Sequence, residues 1–150
     1  MTDTIKTASD SRVIPIVESE IETLLQKEWL LTNRRGSYVS GTVLGCNTRR
    51  YHGLLIASLH PPVERYVTLS NLLETVTMGE RKYELSNFEF SDRLHPQGYR
   101  YLKEFRRDTG VHFRYELDGL TVVKSIYLAY EQDLAAITYT FSGTTENLQF

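Results

Sequence analysis

Residues 111–130 read VHFRYELDGLTVVKSIYLAY, and this stretch decides the fold class. Its first half alternates strictly between apolar and polar side chains, which is the pattern of a strand with one buried face. Asp118 and Gly119 follow, a pair that tolerates the positive φ angles of a two-residue type I′ turn. The apolar alternation then resumes at Leu120 and is interrupted only by Lys124. The stretch therefore predicts an antiparallel β-hairpin.

Shorter runs on either side of this hairpin also have strand character. Residues 51–59 are mostly apolar, residues 66–77 contain one or two further runs that turn near Gly79, and residues 135–141 place apolar side chains at every second position. The 10 Tyr and 6 Phe against 2 Met and 1 Trp favour strands, because aromatic rings pack well on a pleated surface. Many short strands separated by turn residues predict a mainly β fold, an antiparallel β-sandwich of the supersandwich-like type.

The chain before residue 28 has a different character. Residues 1–16 open with a polar run rich in Thr, Ser and Asp, so we expect a loose N-terminal tail. Over residues 17–27, Ser19 and Glu22 have the spacing of a capping box. The apolar side chains of this stretch share one helical face: Ile21, Leu24 and Leu25. We therefore expect a short helix at the start of a single β domain that spans residues 17–150.

Charge and cysteine content argue against several classes of protein. With 17 basic and 19 acidic residues the net charge is −2, which is unlike a protein whose surface serves nucleic acid or an anionic membrane. The single cysteine, Cys46, lacks a partner for a disulfide or a cysteine-based zinc site and is expected to be buried. The four histidines lack metal-ligand spacing. With neither a signal peptide nor a membrane-length apolar run, we expect a cytoplasmic protein with no metal and no cofactor.

Residues 28–59 form the most informative segment. Four of the chain's 9 glycines lie there, and glycine is used where the backbone turns through positive φ or approaches another group closely. Between the last two of these glycines lies a dense run of hydrogen-bonding side chains: Asn47, Thr48, Arg49, Arg50, Tyr51 and His52. Because polar loops above a rigid sheet often carry binding residues, these six are the candidates for substrate binding or domain docking. No catalytic residue is assigned.

Two interpretations of this run are open. Arg49 and Arg50 adjoin at the expected start of a strand, so their side chains should point to opposite sides. One of them, with Asn47 and His52, would then line a sugar-binding surface or a docking face. Alternatively, both arginines pair with nearby carboxylates and loop carbonyls and hold the glycine-rich turns. Tyr51 could stack on a glucose ring, although a core or rim position is more common for tyrosine in a strand-rich chain.

The other ionisable residues are expected at the surface. His112 falls on the polar side of its alternating strand and should be solvated. Four glutamates are conceivable acids, but their spacing selects no catalytic pair, and each is expected to be a surface carboxylate: Glu74, Glu89, Glu104 and Glu116.

Two blocks of sequence carry a resemblance to a known family. Residues 29–55 read WLLTNRRGSYVSGTVLGCNTRRYHGLL, and residues 95–102 read HPQGYRYL. In this order the blocks resemble the N-terminal domain of bacterial and archaeal glycogen debranching enzymes, and the resemblance covers residues 28–150. The chain departs from the family at Arg34 and Ser37, where glycines are common.

The resemblance implies a longer enzyme in which this β domain precedes an (α/α)6 catalytic barrel. Such enzymes are amylo-α-1,6-glucosidases, which hydrolyse α-1,6-linked glucose at the branch points of glycogen. The carboxylate pair that glycoside hydrolysis needs lies in the barrel in this family. The resemblance therefore implies a non-catalytic domain that supports the barrel, with glycogen or another α-glucan as a partner through the full-length enzyme.

Two alternatives belong to other functional classes. The first is a free-standing carbohydrate-binding or protein-interaction module. The second is binding of single-stranded nucleic acid through clustered arginines and interleaved tyrosines: Arg34, Arg35, Tyr38, Arg49, Arg50 and Tyr51. The negative net charge and the scattered positions of the remaining basic residues argue against the second.

The last residues have the pattern of a strand. Residues 147–150 alternate polar and apolar side chains just after a turn at residues 142–144. Because domains usually end in polar linkers, we expect the β domain to continue beyond Phe150. An exposed strand edge would then allow the chain to self-associate.

Overall fold

The computed structural model describes residues 11–60, 63–91, 93–144 and 146–150. The helical segments among them are a 3₁₀ turn at Glu18–Glu20, the helix α1 at Ile21–Leu25 and a 3₁₀ turn at Gly98–Arg100. The fourteen strands, in chain order, are β1 Arg12–Pro15, β2 Glu28–Thr32, β3 Tyr38–Thr42, β4 Gly53–His60, β5 Glu64–Leu69, β6 Thr75–Met78, β7 Arg81–Glu84, β8 Asn87–Phe90, β9 Arg93–Gln97, β10 Leu102–Arg107, β11 Val111–Leu117, β12 Leu120–Leu128, β13 Ala135–Gly143 and β14 Leu148–Gln149.

The strands of the described residues form four sheets in which every pairing is antiparallel. The largest has the order β1-β10-β11-β12-β13, and the next has the order β2-β3-β4-β5. A three-stranded sheet, β14-β6-β7, and a two-stranded sheet, β8-β9, complete the set. The prediction of a mainly β, antiparallel fold with one short helix is therefore confirmed.

The predicted hairpin is present in the register that the alternation requires. β11 and β12 pair from Val111 opposite Ile126 to Leu117 opposite Leu120. The turn residues Asp118 and Gly119 have φ angles of 28° and 88°, both positive as a type I′ turn requires. The inward residues of both strands are buried, so the alternation placed the apolar set on the core face.

One core joins the five-stranded and four-stranded sheets. Trp29 of β2 packs against both Phe105 of β10 and Phe113 of β11, with ring centres 6.4 Å and 6.2 Å away. The Trp29 indole Nε1 donates to the Thr42 carbonyl at 2.8 Å, so its one polar group is satisfied inside the core. This contact fixes the end of β3, from which the candidate loop leaves the sheet.

The N-terminal segment differs in part from the expectation. Residues 1–10 lie outside the described residues, and Arg12–Pro15, within the range expected to be a loose tail, form β1 and pair with β10. The expected helix is present as the first 3₁₀ turn followed by α1, which buries Leu24. The capping box is not formed, because α1 begins after Glu20 and has no side-chain cap hydrogen bond.

His112 is buried, so the prediction of a solvated histidine is wrong. Its side chain is only 7% exposed. The Nε2 atom lies 2.9 Å from the Asp108 carboxylate, the Nδ1 atom lies 2.8 Å from the Ser125 hydroxyl, and the Tyr127 ring lies edge-on at 5.7 Å. The hydrogen bond from His112 is the main reason why the pKa of Asp108 falls to about 2. Neighbouring side chains thus cover the outward face of β11 at this point.

Glu74 is also buried, contrary to the expectation of a surface carboxylate. It is 6% exposed, its carboxylate lies 2.5 Å from Lys124 Nζ, and it accepts a hydrogen bond from the Tyr139 hydroxyl. Burial, followed by the bond to Glu74, raises the pKa of Tyr139 above its ordinary value. The pair explains why a lysine interrupts the apolar alternation of β12: Lys124 faces the core and meets a carboxylate there. Glu89 and Glu116 are exposed, as expected.

The C-terminal strand predicted from residues 147–150 is present as β14, which pairs with β6. The Phe150 ring packs on Tyr139 and Phe141 of β13, at 4.5 Å and 5.3 Å between ring centres. β13 lies at the end of its sheet and pairs only with β12 among the described residues.

Candidate functional site

The candidate residues lie on the connection between β3, which ends at Thr42, and β4, which begins at Gly53. The Thr42 hydroxyl closes the first turn, since it accepts from the Cys46 N–H at 3.2 Å and lies 3.0 Å from the Cys46 carbonyl oxygen. Gly45, with a φ of 72°, allows the chain to reverse there. Cys46 is fully buried as expected, and burial raises the pKa of its thiol to about 11.

Arg49 and Arg50 lie in a second turn and not at the start of a strand. The His52 N–H donates to the Arg49 carbonyl at 3.0 Å, and β4 begins only at Gly53. The expectation that the two arginines point to opposite sides of a strand is therefore wrong. The turn places the ring of His52 on the inner side of the loop, where Nδ1 accepts from the Thr48 N–H.

Asn47, Thr48 and His52 hold the loop together. Asn47 Nδ2 donates to the Ser70 carbonyl at 3.0 Å, which ties the loop to the segment after β5. The Thr48 N–H donates to His52 Nδ1 at 3.1 Å. Nδ1 is therefore an acceptor, and the proton of the neutral ring lies on Nε2, on the side of Glu28. Burial lowers the pKa of His52, which also favours the neutral ring.

Arg49 is anchored by an ion pair. Its Nε atom lies 2.6 Å from Glu28 Oε1, and its side chain remains 65% exposed. The hydrogen bond from Arg49 is the main reason why the pKa of Glu28 is lowered. Of the two interpretations of the arginines, Arg49 fits the second: it pairs with a nearby carboxylate, that of Glu28.

Arg50 and Tyr51 differ from the other four candidates because both are exposed and neither side chain is bonded to another part of the fold among the described residues. The Tyr51 side chain is 53% exposed, and the guanidinium carbon of Arg50 lies 5.5 Å from the centre of its ring. No carboxylate among the described residues pairs with Arg50. These two side chains are available to a partner.

Arg50 and Tyr51 border a shallow cleft of about 620 Å³. Its other walls include Leu30 of β2, Tyr38 of β3 and Arg107 at the end of β10. Since Glu28 is occupied by Arg49, and Arg107 has no carboxylate partner among the described residues, the cleft has an excess of two positive charges. We call Arg50, Tyr51 and Arg107 the basic corner.

The described residues that line this cleft include one carboxylate, that of Glu28. Glycoside hydrolysis uses two carboxylates, and Glu28 is the only carboxylate among the described residues that line the cleft. Within those residues, no three His, Cys, Asp or Glu side chains cluster as metal ligands would. None of the helices that the structure describes is both long and apolar enough to span a membrane.

Arg107 is a site residue that sequence reasoning missed. It lies 57 positions after Arg50, in a strand of the other large sheet. Its place beside the loop depends on the packing of the two sheets, for which no local signal exists. The one feature of the sequence that could have indicated a site residue is the position of Arg107 at the end of a strand, next to the turn at Asp108.

The loop that departs from the family pattern is tied to the β12–β13 connection. Ser37 is fully buried, and its hydroxyl lies 2.5 Å from an Asp133 carboxylate oxygen and accepts from the Ser58 N–H at 2.9 Å. Arg34 pairs with Glu131 at 2.6 Å. Arg34 and Ser37, the two residues that differ from the family pattern, therefore both bond to the β12–β13 connection and join the two loops.

The second sequence block has a packing role beside the site. A Cβ atom at Gly98 would overlap the carbonyl oxygen of Leu85, so only glycine fits there. The next residue, Tyr99, donates its N–H to Asn87 Oδ1 at 2.9 Å, and Asn87 Nδ2 donates to the Leu44 carbonyl at 2.8 Å. The block therefore braces the turn that leads into the candidate loop.

Comparison with known proteins agrees with these observations. Residues 27–150 match the family model described as glycogen debranching enzyme N terminal. No curated protein and no solved structure matches the chain. Since the family model covers most of the chain, including both sequence blocks and the basic corner, the chain belongs to the glycogen debranching enzyme N-terminal family.

Proposed function

We propose that this domain is the non-catalytic N-terminal part of a glycogen debranching enzyme and that its basic corner docks onto an acidic surface of the catalytic domain. The observation that carries the proposal is the pair of exposed arginines, Arg50 and Arg107, which border one cleft without a carboxylate partner among the described residues. The partner implied by the resemblance is an (α/α)6 barrel that hydrolyses α-1,6-glucosidic branch points.

The chemistry of the corner favours a charged partner over a sugar. A guanidinium group matches the geometry of a carboxylate with two parallel hydrogen bonds, whereas a sugar carries no charge to neutralise it. The guanidinium of Arg50 also lies over the ring of Tyr51, which leaves less of that ring for a sugar to stack on. An exposed tyrosine beside an arginine is typical of the residues that contribute most to protein interfaces.

We place the glycosidase chemistry in another part of the enzyme. Glu28 is held by Arg49, and Glu74 is buried against Lys124, so neither is free to act as an acid or a base. Incubated with limit dextrin, the chain should release no glucose above background. Turnover that survives purification and is lost on substitution of a glutamate in this chain would place the active site here instead.

The docking proposal is tested by the variant Arg50→Gln. Association of this chain with the remainder of the enzyme, measured by isothermal titration calorimetry, should weaken by about tenfold, which is about 1.4 kcal/mol of binding free energy. The melting temperature should change little, because Arg50 makes no ion pair with a described residue. Arg100→Gln is the control for the loss of one positive charge, since Arg100 is 57% exposed, forms only an exposed pair with Glu18 at 3.7 Å and does not line the cleft.

Three outcomes separate the alternatives. If Arg50→Gln lowers only the melting temperature, the residue has a structural role. If the chain does not associate with the remainder of the enzyme but binds glucans, it is a carbohydrate-binding module. If Arg50→Gln and Arg100→Gln weaken association equally, a general charge effect replaces the specific site.

A further inference from the structure

A second cleft opens beside the basic corner, where β1 and β10 of one large sheet meet the start of β2 in the other. It has a volume of about 160 Å³ and shares Glu28, Trp29 and Arg107 with the first cleft. Three of the described residues that line it are basic, namely Arg12, Lys27 and Arg107, and one is acidic, Glu28. Arg12 and Lys27 do not line the first cleft, so the two clefts differ in most of their charged groups.

Two of the basic side chains leave neighbouring strands at the same level. Arg12 of β1 is directly opposite Arg107 of β10. Side chains at such positions project on the same side of a sheet, with Cβ atoms about 4.5–5.5 Å apart. Ile14 and Phe105, two positions further along, are also opposite each other and line the same cleft. Like charges placed directly opposite each other destabilise a sheet, and an anion between the two guanidinium groups would offset this repulsion.

The carboxylates beside the cleft are held by other side chains. Glu28 pairs with Arg49 at 2.6 Å, and Asp108, the residue after Arg107, pairs with Arg106 at 2.9 Å. Among the described residues, none of the three basic side chains of the cleft has a carboxylate partner. The cleft therefore has an excess of positive charge.

The floor of the cleft is apolar and closed. Trp29, Val43 and Phe105 line it, and each is at most 5% exposed. Because these side chains keep water from the inner side of the cleft, opposite charges attract each other more strongly there than on an open surface.

We propose that this second cleft binds a phosphate group, either as the free ion or as the monoester of a small molecule. A phosphate monoester carries nearly two negative charges at neutral pH and three terminal oxygens, whereas a carboxylate carries one charge on two oxygens. Two guanidinium groups and one ammonium group match the phosphate in both charge and number of acceptors. The volume equals that of about five water molecules of about 30 Å³ each, which is room for one phosphate group.

Titration of the chain with inorganic phosphate at neutral pH, followed by NMR chemical shifts and calorimetry, tests this site. Arg12→Gln and Lys27→Gln each remove one positive charge from the second cleft alone, and each should weaken phosphate binding by about fivefold or more. Arg100→Gln is the control for the loss of one positive charge, because Arg100 is 57% exposed and lines neither cleft. Circular dichroism and thermal melting establish that each variant is folded before its affinity is compared.

Comparison of ligands on the unaltered chain gives a second test. At the same ionic strength, acetate should bind about tenfold more weakly than phosphate, because it has one charge and two oxygens. Phenyl phosphate distinguishes the two sources of the group: it should bind at least as well as inorganic phosphate if the ligand is a monoester, and more weakly if the cleft encloses the free ion.

The proposal is overturned if phosphate does not bind at millimolar concentration, if acetate binds as tightly, or if Arg12→Gln and Lys27→Gln bind phosphate as well as Arg100→Gln does. The site does not depend on the docking proposal. Association with the remainder of the enzyme is measured separately with Arg50→Gln, and Arg50 does not line the second cleft, so either proposal can fail without the other.

Discussion

Replacement of Lys124 by methionine should destabilise the domain strongly. Lys124 and Glu74 are 7% and 6% exposed, and their charged atoms lie 2.5 Å apart. Methionine fills a similar volume, so the packing term should stay below about 1.5 kcal/mol. The larger effect comes from the Glu74 carboxylate, which would remain buried with only the Tyr139 hydroxyl as a donor. Loss of one partner of a buried ion pair lowers the free energy of unfolding by about 3–5 kcal/mol. This is a large part of the total for a domain, which is about 5–15 kcal/mol.

Urea denaturation with matched variants measures this effect. The double variant Lys124→Met/Glu74→Gln removes both charges and keeps an acceptor for the Tyr139 hydroxyl, so it should regain most of the lost free energy of unfolding. Lys82→Met is the exposed control, because the Lys82–Glu84 pair is 63% and 40% exposed and should contribute less than about 1 kcal/mol. The reasoning is refuted if Lys124→Met costs no more than Lys82→Met, or if the double variant is as unstable as the single one.

Three further predictions concern other parts of the fold. Gly98→Ala should lower the melting temperature by several degrees or prevent folding, because its Cβ would overlap the Leu85 carbonyl oxygen; an unchanged melting curve would mean that the backbone shifts freely. The pKa of Asp108 is lowered to about 2 from an ordinary value of 3.8, so this carboxylate stabilises the fold above about pH 4 and loses that contribution as the pH falls toward about 2. The stability of Asp108→Asn should therefore fall less steeply over that range than that of the wild type, and parallel profiles would contradict the assignment. β13 is a nine-residue edge strand with no charged side chain, so light scattering should detect concentration-dependent self-association that Thr140→Lys reduces; a concentration-independent monomer would refute this.

The local part of the fold could be predicted from the sequence because it depends on neighbouring residues. The alternation of residues 111–117 is enough to predict a strand, and the Asp118-Gly119 pair is enough to predict a tight turn. Both are present as expected. The strand at the C-terminal end was predicted from four residues in the same way. The predicted capping box is not formed, because Ser19 lies within the first 3₁₀ turn and not at the residue that precedes the helix.

The burial of charged side chains could not be predicted because it depends on distant partners. Glu74 and Lys124 are 50 positions apart and meet only when the sheets pack, and neither is distinguishable in sequence from a surface residue. His112 was assigned to solvent from its alternation alone, although Asp108 and Ser125 cover it. A lysine inside an otherwise apolar strand was the one available signal of a buried partner.

The candidate site was predicted as a segment but not as a set of roles. The run from Asn47 to His52 does form one polar loop between two strands. Which side chains hold the loop and which are exposed depends on Glu28 and on the segment after β5, both distant in sequence. Only Arg50 and Tyr51 remain exposed and without a structural bond, and the third member of the corner, Arg107, comes from the other sheet.

The salt dependence of association between this chain and the remainder of the enzyme tests the docking role of the basic corner most directly. We predict that wild-type affinity falls steadily as sodium chloride is raised from about 0.05 M to about 0.5 M, since ions screen exposed charges over a few ångströms at the upper concentration. Arg50→Gln should bind more weakly at low salt and show a shallower dependence, so that the two affinities converge at high salt. Equal slopes for the two proteins, or an affinity that does not change with salt, would contradict the docking role of the basic corner.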